Sequence, residues 1–490
     1  MKIYILDEKY KFDVEQTAIM LMPEREPRVT VGLQPVQSDG SDYGTVDVLF
    51  SDNSVLACCT LVLDGEKESR SCRAVKTAAH TEQSWAREVA HTVRRSVYRT
   101  FVILTGQKPA WGSLAGVRPG KLARGFLESG MTPKETLSKL ENGYYIRKDK
   151  AALALKAAEV ALELKAELTP NDIALYIDVP FCPSRCAYCS FISRTTGVGE
   201  GAADAYLDAL ELEIAAVREV IKNADANIKA VYIGGGTPTS LTPAQLSRML
   251  TALDSLEIPS GCEYTLEAGR PDTITAERLE AVLGHGVTRV SVNPQTFSQK
   301  VLDTIGRNHS VKEVSEAVEL VRKMTDLEIN MDLIAGLPGE STAVFAAGVL
   351  RASDLDPDNI TVHTLALKRG SDFALRMGKQ TSPEALAVMV EGSATLLKQQ
   401  GYEPYYLYRQ KYMNGSFENV GYAREGKICR YNVYMMDELL PVIALGCGGS
   451  TKITREDKGR FIRITNPKYP EEYISRIDEI VDKKRRIELR

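Results

Sequence analysis

The sequence predicts an α/β protein. It has a partial (β/α)6 TIM-like barrel core over residues 166–400, an α+β extension over 1–165 in front, and a small C-terminal region over 401–490. Two observations carry that class. Six short β-rich runs recur: ALYIDVP (174–180), IKAVYIGG (228–235), EYTLEA (263–268), VTRVSV (287–292), INMDLIAG (329–336) and ITVHTLA (360–366). A helical pattern follows each, including AYLDALELEIAAVREVIKNA and PAQLSRMLTALDSL. Strands alternating with helices read as a parallel sheet covered by helices. Six units are too few for the eight-stranded barrel and predict a partial one. In such sheets the chemistry sits at the carboxyl ends of the strands.

The outer regions follow in order. At the front, KIYIL, GTVDVLF and SVLACCTLVLD read as strands. Two long helical stretches follow, SWAREVAHTVRRSVYRTFVILTG and KDKAALALKAAEVALELKAEL, the first with apolar positions at three-to-four spacing. Between them PAWGSLAGVRPGKLARGFLESG is a Gly- and Pro-punctuated turn leading into a basic helix. The last region is polar and tyrosine-rich, reaches a Gly-rich turn at ALGCGGS and ends in charged residues.

Composition narrows the function classes. A chain of 490 residues is too long for one ordinary core. Its 44% hydrophobic and 26% charged residues fit a globular protein without a membrane span. The opening MKIYILDEKYKFDVEQ mixes charge with apolar residues and resembles no signal or transit peptide. A formal charge of −4 gives no general attraction to nucleic acid. Nine unevenly spaced cysteines suit a reducing cytoplasm better than a secreted disulfide framework.

Three of those cysteines, Cys182, Cys186 and Cys189, fall within FCPSRCAYCSF, just past the first predicted core strand. Structural zinc wants four closed ligands, whereas the nearest further cysteine is Cys262 and no histidine lies nearby. A thioredoxin-like pair accounts for Cys186 and Cys189 but leaves Cys182 unexplained. An iron–sulfur cluster held by three thiolates fits better, because it leaves one iron open to a ligand.

With Tyr188 before the last cysteine, this C-x3-C-x2-C pattern resembles the radical S-adenosylmethionine superfamily. The resemblance implies a 4Fe-4S cluster whose open iron is chelated by S-adenosyl-L-methionine, with Cys182, Cys186 and Cys189 as the metal ligands. The flanking YIDVPFCPSRCAYCSF resembles the anaerobic coproporphyrinogen oxidase branch. VYIGGGTPTSL resembles its glycine motif, so that Gly234, Gly235, Gly236 and Thr237 are implied to meet the methionine moiety. Glu267 in EYTLEAGRPD, Gln295 in RVSVNPQTF, Arg307 in IGRNHS and Asp332 in INMDLIAGLPGE resemble the family's further cofactor residues. By that likeness Arg307 takes the cofactor carboxylate, for which its planar fork is suited. The other three contact ribose hydroxyls or neighbouring polar groups. Tyr176, Phe181 and Tyr188 complete the candidate set.

PAWGSLAGVRPGKLARGFLESG, ITVHTLALKRGS, GYAREGKICRYNVYMM and ALGCGGSTKITR resemble the HemZ-type, coproporphyrinogen dehydrogenase-like proteins. The implied activity is oxidoreductase chemistry in porphyrin and haem biosynthesis, namely oxygen-independent oxidative decarboxylation of coproporphyrinogen III to protoporphyrinogen IX. An electron donor such as flavodoxin or ferredoxin is implied with it. Anaerobic haem modification or degradation, and haem chaperoning without oxidase activity, are the alternatives. An anionic tetrapyrrole asks for basic residues along its approach, for which Arg118, Lys121, Arg124, Lys368, Arg369 and Arg430 are candidates. Two positions depart from the pattern. Asp178 stands where many relatives carry histidine, and Phe191 replaces a fourth cysteine.

Overall fold

The computed structural model describes residues 1–33, 41–189, 194–195, 201–366, 381–410, 417–455 and 460–489. Phe191, Lys368 and Arg369 lie outside the described residues. The chain divides into two compact units, Met1–Leu155 joined by Arg409, and Lys156–Tyr408 with Phe417–Arg490.

The first unit is a five-stranded sheet of order β2-β1-β3-β4-β5. Its strands are β1 (Lys2–Ile5), β2 (Arg28–Val31), β3 (Tyr43–Ser51), β4 (Ser54–Leu63) and β5 (Glu66–Val75). β4 and β5 form a hairpin on the pair Asp64-Gly65, both at positive φ (51° and 84°), the chemistry a two-residue turn asks for. Burial alternates along β4, so one face feeds the core. Helices α1 (Lys11–Leu21) and α2 (Glu82–Thr105) cover that face, with Val89, Val93, Val97 and Phe101 packing with Val55, Ala57, Cys59 and Leu61. Thr81 caps α2, accepting from the Ser84 amide, and Gly106 at φ 70° ends it. Helices α3 (Pro119–Glu128), α4 (Pro133–Ser138) and α5 (Lys148–Ala166) follow.

The second unit holds the sheet that positions the site. The six expected core strands all form: β6 (Asp172–Val179), β9 (Asn227–Gly235), β10 (Glu263–Glu267), β11 (Arg289–Ser291), β12 (Glu328–Ala335) and β13 (Asn359–Thr364). They lie side by side in chain order, every neighbouring pair parallel. Between β6 and β9 the short β7 (Phe181–Cys182) and β8 (Arg194–Thr195) pair with each other. Helices α6 (Ala202–Asn223), α7 (Pro243–Asp254), α8 (Ala276–Val282), α9 (Gln299–Thr304), α10 (Val311–Met324) and α11 (Thr342–Asp354) form the crossovers. Ser and Thr caps begin many of them; Thr242 and Ser310 complete capping boxes with Gln245 and Glu313. β6 and β12 are buried almost throughout because both faces are covered.

Residues 401–490, read from sequence as a separate region, contribute strands to both edges of this same sheet. After α12 (Pro383–Gln399), β14 (Glu403–Arg409) and β15 (Glu418–Ala423) extend the β13 edge, with β15 antiparallel to β13. After α13 (Arg430–Asp437), β16 (Val442–Gly446) pairs parallel with β6 on its other side. The antiparallel strands β17 (Ser450–Arg455) and β18 (Arg460–Thr465) continue outward from β16. Part of the ALGCGGS stretch expected as a turn is therefore strand.

Helices α14 (Pro470–Ser475) and α15 (Ile477–Arg485) close the chain. Their packing is fixed by an ion pair that the amphipathic pattern gave no hint of. Lys484 and Glu213 are both fully buried, 3.2 Å apart. Glu213 also accepts from the Gly446 amide (2.8 Å), Asn466 (2.8 Å) and Tyr473 (2.6 Å). Lys484 also donates to Thr451 (3.1 Å) and to the Ala444 carbonyl. Two charges can share such an interior only because each is paired and hydrogen-bonded.

Candidate active site

The cysteine loop starts where β6 ends. Phe181 is buried and meets Tyr206 edge-on, ring centroids 5.5 Å apart, and the Tyr206 hydroxyl donates to the Asp178 carbonyl (2.5 Å). Within the loop the Cys189 amide donates to the Cys186 carbonyl (3.1 Å), and the Ala187 amide ties the turn to the Ile305 carbonyl (3.0 Å). Tyr188 anchors it, packing with Val301, Leu302 and Ile305. Cys182, Cys186 and Cys189 are half-buried. Among the described residues no group of three or more His, Cys, Asp or Glu side chains is close enough together to hold a metal ion.

The glycine motif lies on this loop. The Gly236 amide donates to the Val179 carbonyl (2.8 Å) and the Thr237 amide to the Phe181 carbonyl (2.6 Å). A Cβ at Gly236 would stand 2.4 Å from the Phe181 carbonyl oxygen. At Gly235, whose φ is 98°, a Cβ would stand 2.3 Å from Asp178 Oδ1. Both glycines are required by chain packing at the mouth of the cysteine loop. Thr237 Oγ1 reaches 3.7 Å from Cys182 Sγ.

Glu267 ends β10 and accepts from Tyr232 (2.5 Å). Burial pushes its carboxyl up to about 8, with Asp332 and Asp178 adding to the rise against the tyrosine's lowering effect. Burial likewise pushes Asp178 up to about 7, opposed by the bond from Tyr176 (3.3 Å). The rings of Tyr176, Tyr232 and Tyr431 stack around these carboxyls, Tyr232 and Tyr431 with centroids 4.7 Å apart.

Glu267 and Asp332 open on one cavity of about 150 Å³, shared with Tyr232, Ser291, Asn330, Thr361, His363, Tyr406, Tyr408, Asn432 and Met436. Gln295 follows β11 at φ 66°, its amide donating to the Asp332 carbonyl (2.9 Å). Its side-chain oxygen is buried without a partner, as are those of Ser291 and Asn293. Buried polar atoms normally find partners, so these three mark a place built for a ligand or ordered water. Arg307, also buried, donates to Tyr188 (3.0 Å), the Gly269 carbonyl (2.6 Å) and the Asn293 carbonyl (2.9 Å), leaving its Nε without a partner. The sequence candidates thus fall into two sets. Around the thiols stand Phe181, Tyr188, Thr237 and Arg307; around the cavity and its carboxyls stand Tyr176, Glu267, Asp332 and, through its backbone, Gln295.

The basic candidates divide differently. Arg118 precedes α3 and Lys121 and Arg124 lie on it, all in the first unit, and Arg124 pairs with Glu128 (2.9 Å). Arg430 pairs with Glu167 (2.6 Å). None of the four lines the cavity.

Sequence reading missed Arg270 beside the thiols and His363, Tyr406, Tyr408 and Asn432 in the cavity. A signal existed for part of this. Ser291, Asn293 and Gln295, Asn330 and Asp332, and Thr361 and His363 are polar at every second position of otherwise apolar strands, one facing row of the sheet.

Residues 176–346 match the Radical SAM superfamily. The chain is 35% identical over 410 residues, 82% of either chain, to the oxygen-independent coproporphyrinogen-III oxidase-like protein HemZ of Bacillus subtilis. It is 29% identical to the heme chaperone HemW of Escherichia coli over 61% of this chain and 74% of that one. The solved structure of coproporphyrinogen III oxidase, HemN, from Escherichia coli shares the fold, with a TM-score of 0.52 and 23% identity over 66% of this chain and 72% of that one. The chain belongs to the radical SAM superfamily and, within it, to the family of HemZ-type oxygen-independent coproporphyrinogen-III oxidase-like proteins. Among the described residues no helix is long and apolar enough to cross a membrane.

Proposed function

We propose that this chain is a radical SAM oxidoreductase acting on a tetrapyrrole, with oxygen-independent decarboxylation of coproporphyrinogen III as its reaction. The observation that carries the reading is the pairing of a three-thiol loop at the end of β6 with a polar cavity across the neighbouring strand ends. The superfamily implies a 4Fe-4S cluster and S-adenosylmethionine, and the residues fit both. Each of Cys182 and Cys186 has a donor aimed at its sulfur, Thr237 for the first and Arg270 for the second, which suits thiolates rather than thiols. The partnerless oxygens of Ser291, Asn293 and Gln295 fit the hydroxyl and amine donors of a nucleoside and an amino acid. When bound, this pair supplies hydrogen-atom abstraction, started by one electron from a donor such as flavodoxin or ferredoxin.

The chain's own residues do the rest. Cys182, Cys186 and Cys189 hold the cluster. Gly235 and Gly236 keep the loop mouth closed on β9, and Tyr188 pins the loop to α9. Glu267, Gln295 and Asp332 orient the cofactor from the strand ends, with Arg307 and Gly234 framing it. Glu267 and Asp178, held protonated near neutrality by burial, leave this pocket less negative than its carboxyl count suggests.

A second reading, haem chaperoning without turnover, is favoured by one observation: among the described residues the cavity lining contains carboxyls, a histidine and phenols but neither lysine nor arginine to receive the four propionates of the oxidase substrate. Anaerobic incubation of reconstituted protein with coproporphyrinogen III, reductant and S-adenosylmethionine, followed by mass spectrometry, tests the choice. Protoporphyrinogen IX or its tricarboxylic intermediate, formed with 5′-deoxyadenosine, is the expected result. Stoichiometric haem binding with neither product would overturn the oxidase reading in favour of the chaperone.

A further inference from the structure

Arg270 follows β10 and is 3% exposed. One side of its guanidinium is held by Asp272, Nε to Oδ1 at 3.0 Å and Nη2 to Oδ2 at 3.2 Å. The remaining nitrogen, Nη1, points into the cysteine loop, 2.9 Å from Ser184 Oγ and 3.9 Å from Cys186 Sγ. The carboxylate therefore orients the fork from the side away from sulfur, and the end of the cation nearest the thiol is the one without a counter-charge. A plain surface pair would be solvated and worth little. This one is enclosed, where a charge acts over a short distance with little screening.

We propose that Arg270 is a positioning and tuning residue for the cluster: it orders the loop through Ser184 and raises the cluster's reduction potential through Cys186. The inference rests on the reading that Cys182, Cys186 and Cys189 hold an iron–sulfur cluster. Reduction adds one negative charge to the cluster and its thiolates. A fixed positive charge beside one sulfur stabilises that reduced state, so electron uptake becomes easier; potentials of such clusters are set by net charge and by hydrogen bonds to sulfur. Asp272 opposes this from further off, so the two residues have opposite signed effects. Thr237, a neutral donor to Cys182, gives a control of the same geometry without charge.

The test is an EPR-monitored redox titration of the anaerobically reconstituted protein and its variants, with iron and sulfide content measured on each. Arg270→Gln is expected to shift the midpoint to more negative potential, Arg270→Lys to recover most of the shift, and Asp272→Asn to move the midpoint the other way. A midpoint in Arg270→Gln equal to the parent's would overturn the inference while leaving the cluster reading intact. Absence of any cluster signal in the parent would overturn the cluster reading itself. Should Arg270→Gln fail to hold iron, Asp272→Asn decides: a positive shift of its midpoint sustains the proposal, and a negative or absent shift sinks it.

Discussion

The two walls of the site differ in charge. On the thiol side stand Arg270 and Arg307, both buried, and the hydroxyl of Thr237. On the cavity side stand Glu267 and Asp332 among stacked tyrosines, with Asp178 bonded to one of those tyrosines, Tyr176. One wall is prepared for groups that gain negative charge. The other holds carboxyls that give up theirs, since burial keeps Asp178 and Glu267 protonated into the neutral range. The difference shows that the strand ends separate hydrogen-bond donors and cations from carboxyls within one small region, which is the division the proposed cluster and cofactor would need.

The comparison can be broken first on the thiol wall. Cys186→Ser is expected to abolish cluster assembly and all 5′-deoxyadenosine formation, read from iron content and product yield. A variant retaining stoichiometric iron and turnover would remove the basis of the comparison. Next in size is Gly236→Ala, whose Cβ would meet the Phe181 carbonyl oxygen at 2.4 Å between two backbone segments. Main chain cannot yield as a side chain tip would, so a loss of roughly 2–4 kcal/mol is expected in urea titration, as for other severe backbone clashes. A stability within error of the parent would mean that the loop mouth is looser than its hydrogen bonds indicate.

The cavity wall is tested by pH. Glu267 and Asp178 have folded-state pKa values raised above those of the unfolded chain, so the folded state binds more protons. Their stabilising effect is complete at low pH, declines as pH rises past the unfolded carboxyl range, and is lost above about 8. The apo protein should therefore show a thermal midpoint that falls between pH 5 and 8, and Glu267→Gln should flatten that slope. An unchanged slope in the variant would show that Glu267 is ionised at neutrality. The smallest effect is expected from Tyr431→Phe. Its hydroxyl is buried without a partner, so removal should change stability by under about 1 kcal/mol, in either direction. A large loss would reveal a partner, such as an ordered water, that the phenol needs.

The parts of this site that the sequence disclosed were those whose signal is local. Cys182, Cys186 and Cys189 sit within eight residues, and the six core strands are each a short β-rich run followed by a helical pattern. What escaped depends on distant partners. β16 is five residues long and is followed by a strand rather than a helix, so it breaks the repeat; only its pairing with β6, some 270 residues earlier in the chain, makes it a core strand. Lys484 lies in a helix rich in charge, where a single inward lysine is indistinguishable from its solvated neighbours until Glu213 is placed against it. Arg270 resembles an ordinary residue before proline in a turn, and its meaning appears only when Cys186 approaches. The resemblance assigns Arg307 to the cofactor carboxylate, and the structure surrounds it with Tyr188 and two carbonyls, leaving the cofactor role as proposed above.

The pairing of β16 with β6 has a consequence for how the protein is made. β6 leaves the ribosome with its β9 flank available soon afterwards, but its other flank stays an open edge until residues 442–446 emerge. The strand leading into the cysteine loop is thus among the last to be completed, and the Lys484–Glu213 latch behind it closes later still. Throughout that interval an apolar edge is exposed to other nascent chains, a recognised route to aggregation. A chain cut short before β16 should accordingly accumulate as insoluble protein, read from the soluble fraction after expression.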